Sequence, residues 1–289
     1  MSWPVWRAKA TWISGDLLWA VVGNPIAHSK SPEIHAAFAR QTGHDIDYSR
    51  LLAPLDGFHS TIESFRAKGG KGANVTLPFK LEAFDLADDA SQRARDAEAA
   101  NFLRFDNGRV RADNTDGVGL TRDIVHNLGF GIAGKRVLLM GAGGAAQGVL
   151  SPLLEYEPSM LTIANRTVEK ALRLAETFRH KPVAASSVLC GLPFGELAGH
   201  HFDLVINATS ASLQGELPPL PADAFAAGAL AYDMMYGRIP TPFLAYAAAH
   251  GAKTSDGLGM LVEQAAESFL LWRGVRPETA PVIALLRNP

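Results

Sequence analysis

Lys80 and Asp116 are the residues whose chemistry stands out first. Lys80 closes the run Asn74-Val75-Thr76-Leu77-Pro78-Phe79-Lys80, and Asp116 lies in Asn114-Thr115-Asp116-Gly117. The two runs supply an ammonium, a carboxylate and several short polar groups. Downstream, Gly141-Ala142-Gly143-Gly144-Ala145-Ala146 has the form of a nucleotide cradle. Together they suggest proton transfer beside a dinucleotide, the requirement for oxidising an alcohol without a metal.

Ser29, Ser31, Thr76, Asn101 and Asp116 add the hydroxyl, amide and carboxylate groups that suit a polyhydroxylated ligand. Lys80 is placed to exchange a proton with a reacting hydroxyl, and a nearby carboxylate would orient it. Each residue alone also has a plain reading. Ser31 fits a helix cap before Pro32, Asn101 and Asn114 fit turns, and Lys80 fits a surface lysine. Only the constellation with the glycine run lifts the chemical reading above these.

Gly141, Gly143 and Ala146 match G-x-G-x-x-G/A directly after the apolar run Arg136 to Met140. The first glycine permits a tight turn, the second lets backbone approach a pyrophosphate, and Ala146 keeps the following helix close to the sheet. Asn165 lies 19 residues after Ala146, where an NAD site would place an acid on the ribose. There is no acid. Arg166 offers a forked donor for a 2′-phosphate and Lys170 adds charge, so NADP is expected over NAD.

These residues need elements to hold them. Leu17 to Val22 reads as a buried strand, Ser31 onward as a helix, Tyr48 to Leu52 as a strand and Leu55 to Ala67 as a helix. Gly69 to Gly72 reads as a break before a strand over Ala73 to Thr76, which Pro78 ends. Asn101 to Phe105 and Val110 to Ala112 suit a hairpin around Asn107-Gly108. Gly117 to Leu128 reads as a helix linking two domains. After it the α/β pattern restarts, with strands at Arg136 to Met140, Leu161 to Ala164, Leu204 to Ile206 and Leu230 to Tyr232. A helix is expected over Val168 to Phe178 and a last helix about Met260 to Trp272, and Leu213 to Pro221 reads as a proline-rich loop. The expected fold class is α/β in two domains.

The 289 residues suffice for two domains, and 47% hydrophobic with 19% charged residues is a globular balance. A net charge of −2 without a basic block argues against a nucleic-acid partner. No apolar run reaches the length of a membrane span. The short tryptophan-rich start does not read as a secretory signal, and the single Cys190 suits a reducing compartment, so a cytoplasmic protein is expected. His200-His201 point apart, and His28 and His35 lack a third partner, so no metal site is expected.

At this point the chain resembles the shikimate dehydrogenase family from about Val21 to Pro277. The resemblance rests on Gly23 to Pro32, Asn74 to Lys80, Asn114 to Gly117, Gly141 to Ala146 and Asn165-Arg166-Thr167. It continues through Asn207 to Ser210, Tyr232 to Tyr236 with Thr241-Pro242-Phe243, and Asp256 to Leu261. The resemblance implies NADP-dependent, reversible reduction of 3-dehydroshikimate to shikimate, a step towards chorismate and the aromatic amino acids. It implies an α/β substrate-binding domain over 1–117 and 258–289, a Rossmann-like NADP domain over 118–257, and an active site in the cleft between them.

The resemblance also implies residue roles. Ser29 and Ser31 would bind the substrate carboxylate, with Tyr236 near it. Thr76, Lys80, Asn101, Asp116 and Gln264 would hold the ring hydroxyls, and Lys80 with Asp116 would be the catalytic pair. Gly141 to Ala146 would cradle the pyrophosphate, and Asn165, Arg166, Thr167 and Lys170 would surround the 2′-phosphate. Thr209 belongs to the cofactor site, and Met234, Gly257 and Met260 would lie near the nicotinamide. The partner is a small molecule, and the chain would act as a monomer or homodimer. Two positions depart from the family pattern: Phe102, where a threonine is usual, and Gln147, where an arginine is common. A quinate/shikimate relative with broader substrate or NAD use, and a ligand-binding protein that kept the fold without catalysis, remain alternatives.

Overall fold

The computed structural model describes residues 18–209, 211 and 215–287. The N-terminal extension with Leu17, and Ser210 and Leu213 of the expected motif and loop, lie outside the described residues. The chain divides into two compact units, Met1–Thr115 with Gln264–Pro289, and Asp116–Glu263.

The first unit runs β1 (Leu18–Gly23), α1 (Ser31–Thr42), β2 (Asp47–Leu52), α2 (Phe58–Ala67), β3 (Gly70–Val75), α3 (Lys80–Asp85), β4 (Asp89–Ala90), α4 (Gln92–Ala97), β5 (Phe102–Asp106) and β6 (Arg109–Asp113). Its sheet has the order β2-β1-β3-β5-β6-β4. The β1, β2 and β3 strands pair in parallel, while β3–β5 and β5–β6 are antiparallel. The hairpin turns at Asn107-Gly108, as the dipeptide predicts. The glycine-rich stretch before Ala73 is not a break: β3 already begins at Gly70. Strand pairing overrides weak propensity there. Val22, Phe58, Ile62, Val75, Phe79 and Leu103 share its core. Phe102, the departure from the family pattern, stacks on Trp272 with ring centroids 5.0 Å apart.

The second unit runs α5 (Asp116–Arg122), a wider π turn over Asp123–Asn127, β7 (Arg136–Met140), α6 (Gly144–Leu154), β8 (Met160–Ala164), α7 (Val168–Arg179), β9 (Val188–Leu192), β10 (Phe202–Asn207), β11 (Phe225–Asp233), α8 (Pro242–Ala249) and β12 (Lys253–Asp256). The six strands are all parallel, in the order β12-β11-β10-β7-β8-β9. Numbered within the unit this is 3-2-1-4-5-6, the doubly wound dinucleotide-binding order. In β7, Val137 and Leu139 enter one core cluster, and Leu138 and Met140 the other. That is why the run is apolar without alternation. From Leu258 the helix α9 (Leu258–Arg273) leads back to the first unit; it is not the last helix as expected, because the short α10 (Ala280–Arg287) follows it. Among the described residues no helix is long and apolar enough to cross a membrane.

Candidate active site

In the first unit the loops after β1 and β3 are joined. The Asn24 amide donates to the Leu77 carbonyl at 3.1 Å, and the Thr76 amide to the Val22 carbonyl at 2.9 Å. Ser31 does not cap α1 as expected. The helix starts at Ser31 itself, after Lys30, and no side chain caps it. The Ser29 hydroxyl instead accepts from the Ser31 amide at 3.3 Å and donates to the Ser31 hydroxyl at 3.2 Å. Two hydroxyls are thus held side by side at a helix start, a setting that favours an anionic group.

Lys80 is the half-buried first residue of α3. Its carbonyl accepts from the Ala100 amide at 2.8 Å, and the Asn101 carbonyl accepts from the Val75 amide at 2.8 Å. Thr76, Lys80 and Asn101 therefore belong to one neighbourhood. The buried Asn101 side chain accepts from the Thr115 amide at 2.8 Å, and donates to the Thr115 hydroxyl at 3.0 Å and to Gln264 Oε1 at 3.2 Å. One helical turn beyond Gln264, the Ser268 hydroxyl accepts from Asn74 Nδ2 at 2.9 Å. Asn74 Oδ1 accepts from the Tyr48 phenol at 2.7 Å. Burial raises the pKa of this phenol well above its usual value, and a hydrogen bond with Ser31 opposes the rise.

Ser268 and Tyr48 were not singled out in the sequence. The signal for Ser268 was its spacing of four from Gln264 on one helix face. The turn carrying Thr115 is set by Asp113. Its carboxylate accepts from the Asn114 amide at 2.7 Å and from Arg93 at 3.1 and 2.7 Å. Arg93 also reaches Glu267 at 3.1 Å. Burial opposes the Arg93 cation, but the two carboxylates outweigh it and raise its pKa.

Asp116, the expected partner of Lys80, is the half-buried first residue of α5 in the second unit. In that unit the reversal of strand order falls between β7 and β10, where ligands of such sheets bind. Gly141 follows β7 with φ +111°, and a Cβ there would lie 3.1 Å from the Ala208 carbonyl oxygen, so only glycine makes this turn. Gly143, Gly144 and Ala145 are exposed, and an added Cβ at either glycine meets nothing within 4 Å. No side chain caps α6. An open turn at an uncapped helix start fits a pyrophosphate. The Gly141 amide donates to the Ala164 carbonyl at 2.8 Å, tying this turn to the loop after β8. There Asn165 Nδ2 donates to the Thr167 carbonyl at 2.9 Å, and Arg166, Thr167 and Lys170 are exposed. That donor set fits a phosphate on the ribose.

Thr209, after β10, donates from its hydroxyl to Asn207 Oδ1 at 2.7 Å. Asn207 Nδ2 donates to Asp233 at 3.2 Å, and this fully buried carboxylate also accepts from the Thr241 hydroxyl at 2.6 Å and the Met235 amide at 3.0 Å. The loop with Met234 and the exposed Tyr236 thus hangs from Asp233. Gly257 and Met260 lie at the start of α9. Among the described residues no three metal-ligating side chains are grouped.

One doubly wound unit with an open glycine turn at its switch point, in one chain with a mixed-sheet unit of converging hydroxyls and amides, defines a two-unit dinucleotide-binding α/β class. Family models sharpen this. That for the shikimate dehydrogenase substrate binding domain matches residues 21–103, shikimate / quinate 5-dehydrogenase matches 123–214, and the shikimate 5′-dehydrogenase C-terminal domain matches 257–287. A shikimate dehydrogenase (NADP+) of Nitrosospira multiformis is 59% identical over 94% of this chain and 97% of its own length. One of Aromatoleum aromaticum is 61% identical over 93% and 96%. The crystal structure of shikimate 5-dehydrogenase from Thermus thermophilus in complex with NADP(H) and shikimate superposes with a TM-score of 0.82 at 32% identity, covering 94% of this chain and 98% of that one. The chain belongs to the shikimate dehydrogenase family.

Proposed function

We infer that the chain catalyses the reversible, NADP-dependent reduction of 3-dehydroshikimate to shikimate. The observation that carries this is that one chain holds both a polar cradle, Asn101–Thr115–Gln264 with Lys80 nearby, and an open glycine turn, with Asn165-Arg166 after β8 where an NAD site would place an acid. The substrate-binding part is expected over residues 1–117 and 258–289, and the NADP part over 118–257. Ser29 and Ser31 receive the substrate carboxylate, with Tyr236 close to it. Thr76, Lys80, Asn101, Asp116 and Gln264 bind the ring hydroxyls.

In the oxidative direction the reacting hydroxyl gives its proton to Lys80 Nζ, and Asp116 orients the lysine and shares the proton. In reduction the same ammonium returns the proton to the carbonyl oxygen. NADP, when bound, accepts or supplies the hydride. Gly141 to Ala146 hold its pyrophosphate, and Asn165, Arg166, Thr167 and Lys170 its 2′-phosphate. Thr209, Met234, Gly257 and Met260 line the remainder. The protein works in the cytoplasm as a monomer or homodimer, with a small molecule and no nucleic acid as its partner.

The test is turnover of shikimate and quinate with NADP+ and NAD+ in all four combinations. Rapid NADPH formation with shikimate is the expected result. Turnover of quinate alone, or of shikimate with NAD+ alone, would overturn the assignment.

A further inference from the structure

The wide turn at Asp123 has a role that the proposed reaction does not yet use. The Asp123 carboxylate is buried inside the second unit. It accepts from the Tyr232 phenol at 2.6 Å and from Asn127 Nδ2 at 2.9 Å. The phenol oxygen in turn accepts from the Met260 amide at 3.3 Å. Gly259 packs so closely that a Cβ there would fall within the carboxylate. The amide just before it belongs to Leu258 and donates to Asp256 at 3.3 Å. The first turn of α9 is therefore held by two carboxylates, one acting directly and one through a phenol. A buried anion at a helix start is favoured by the positive end of the helix dipole. Burial and the Asp123 charge raise the phenol pKa well above its usual value, so Tyr232 remains a donor. Asp123 is the first residue of the π turn, and such turns recur at functional sites.

The same cluster extends along α9. Asn127 Nδ2 also reaches Glu263 Oε1 at 3.2 Å, and Arg122 reaches Glu263 Oε2 at 3.1 Å. The turn from Met260 to Glu263 is thus tied to the segment 122–127 directly at Glu263 and through Tyr232 at Met260.

We propose that Asp123 and Tyr232 are positioning residues that set the first turn of α9, and with it the wall that Gly257 and Met260 present to the nicotinamide. This rests on the reading that places Gly257 and Met260 there. Neither residue touches the cofactor; they act through the backbone of that turn.

The test compares Tyr232→Phe, Met260→Ala and the parent enzyme. Binding of NADPH and of 2′,5′-ADP, which carries the 2′-phosphate but no nicotinamide, is measured with kcat and thermal stability. For Tyr232→Phe we expect NADPH affinity and kcat each to fall about threefold to tenfold, with 2′,5′-ADP affinity unchanged. Equal loss on both ligands, or a lower melting temperature with unchanged kinetics, would reduce the pair to a structural role and overturn the proposal. If Met260→Ala alters NADPH binding while Tyr232→Phe does not, the pair has no positioning role, although the nicotinamide reading stands. If both variants behave as the parent, that reading falls with it. Should Tyr232→Phe not fold, Asp123→Asn is measured in the same way: it removes the charge and leaves one acceptor oxygen for the two donors, Tyr232 and Asn127, so the same selective loss on NADPH is expected and its absence overturns the proposal.

Discussion

His35 makes the first unit sensitive to acid in a way that can be calculated. The side chain is fully buried in α1 and stacks on Tyr48, with centroids 4.2 Å apart and planes at 12°. Phe38, Phe269 and Trp272 surround it at 6.1, 6.2 and 5.5 Å. Neither ring nitrogen makes a well-formed hydrogen bond. Burial lowers its pKa from 6.5 to about 3, and nearby Asn74 offsets only part of the shift. Between those values the unfolded chain carries the proton and the folded chain does not, so stability falls as pH falls through this window. Each pH unit is worth about 1.4 kcal/mol, so lowering the pH from about 7 to about 5 costs about 2 kcal/mol through this residue. That is a large part of a typical folding free energy.

His35→Phe keeps a ring in the box and removes the titration. Urea unfolding of both proteins, followed by tryptophan fluorescence at the two pH values, isolates the effect. Residues 116–263 contain no tryptophan, so the signal does not report on the second unit. Other groups that titrate, His44 among them, contribute equally to both proteins and cancel. The variant is expected to gain about 2 kcal/mol on the parent between neutral and acid pH. Equal pH dependence in the two proteins would refute the reasoning.

Other outcomes follow from the site. Arg166→Ala should raise KM for NADP+ about tenfold to a hundredfold, the worth of a charged hydrogen bond, and leave NAD+ kinetics unchanged. An equal change for both cofactors would remove Arg166 from the 2′-phosphate site. Asp116→Asn should lower kcat by about 10² to 10³, with shikimate affinity measured by calorimetry close to that of the parent. Arg93→Ala strands Asp113 and Glu267 and should destabilise the first unit by about 3 kcal/mol, the low end for a broken buried pair, because Ser91 and Arg276 remain as partners. Urea unfolding by fluorescence checks it.

The glycine turn was legible because its residues are consecutive. Gly141 needs its positive φ where β7 ends, and a strand–turn–helix writes that need into a few adjacent positions. Lys80 and Asn101 were legible as types, but not the frame around Asn101, since Thr115, Gln264 and Ser268 reach it from distant parts of the chain. For the same reason Asp123 read as one more helical residue. Its function depends on Tyr232 and Met260, more than a hundred residues away. Short elements such as β9, β12 and α4 gave too little periodicity to register. In β9 only Leu189 and Gly191 are buried, so the run carries few apolar marks. Met260 to Trp272 is legible as a helix because it lies within sixteen consecutive helical residues.

The claim that Lys80 exchanges the proton is tested most directly by Lys80→Ala. NADPH formation from shikimate and NADP+ is followed by absorbance, with shikimate binding measured on the same protein. The account predicts a loss of more than about 10³-fold in kcat while shikimate still binds. Turnover close to that of the parent enzyme would contradict it.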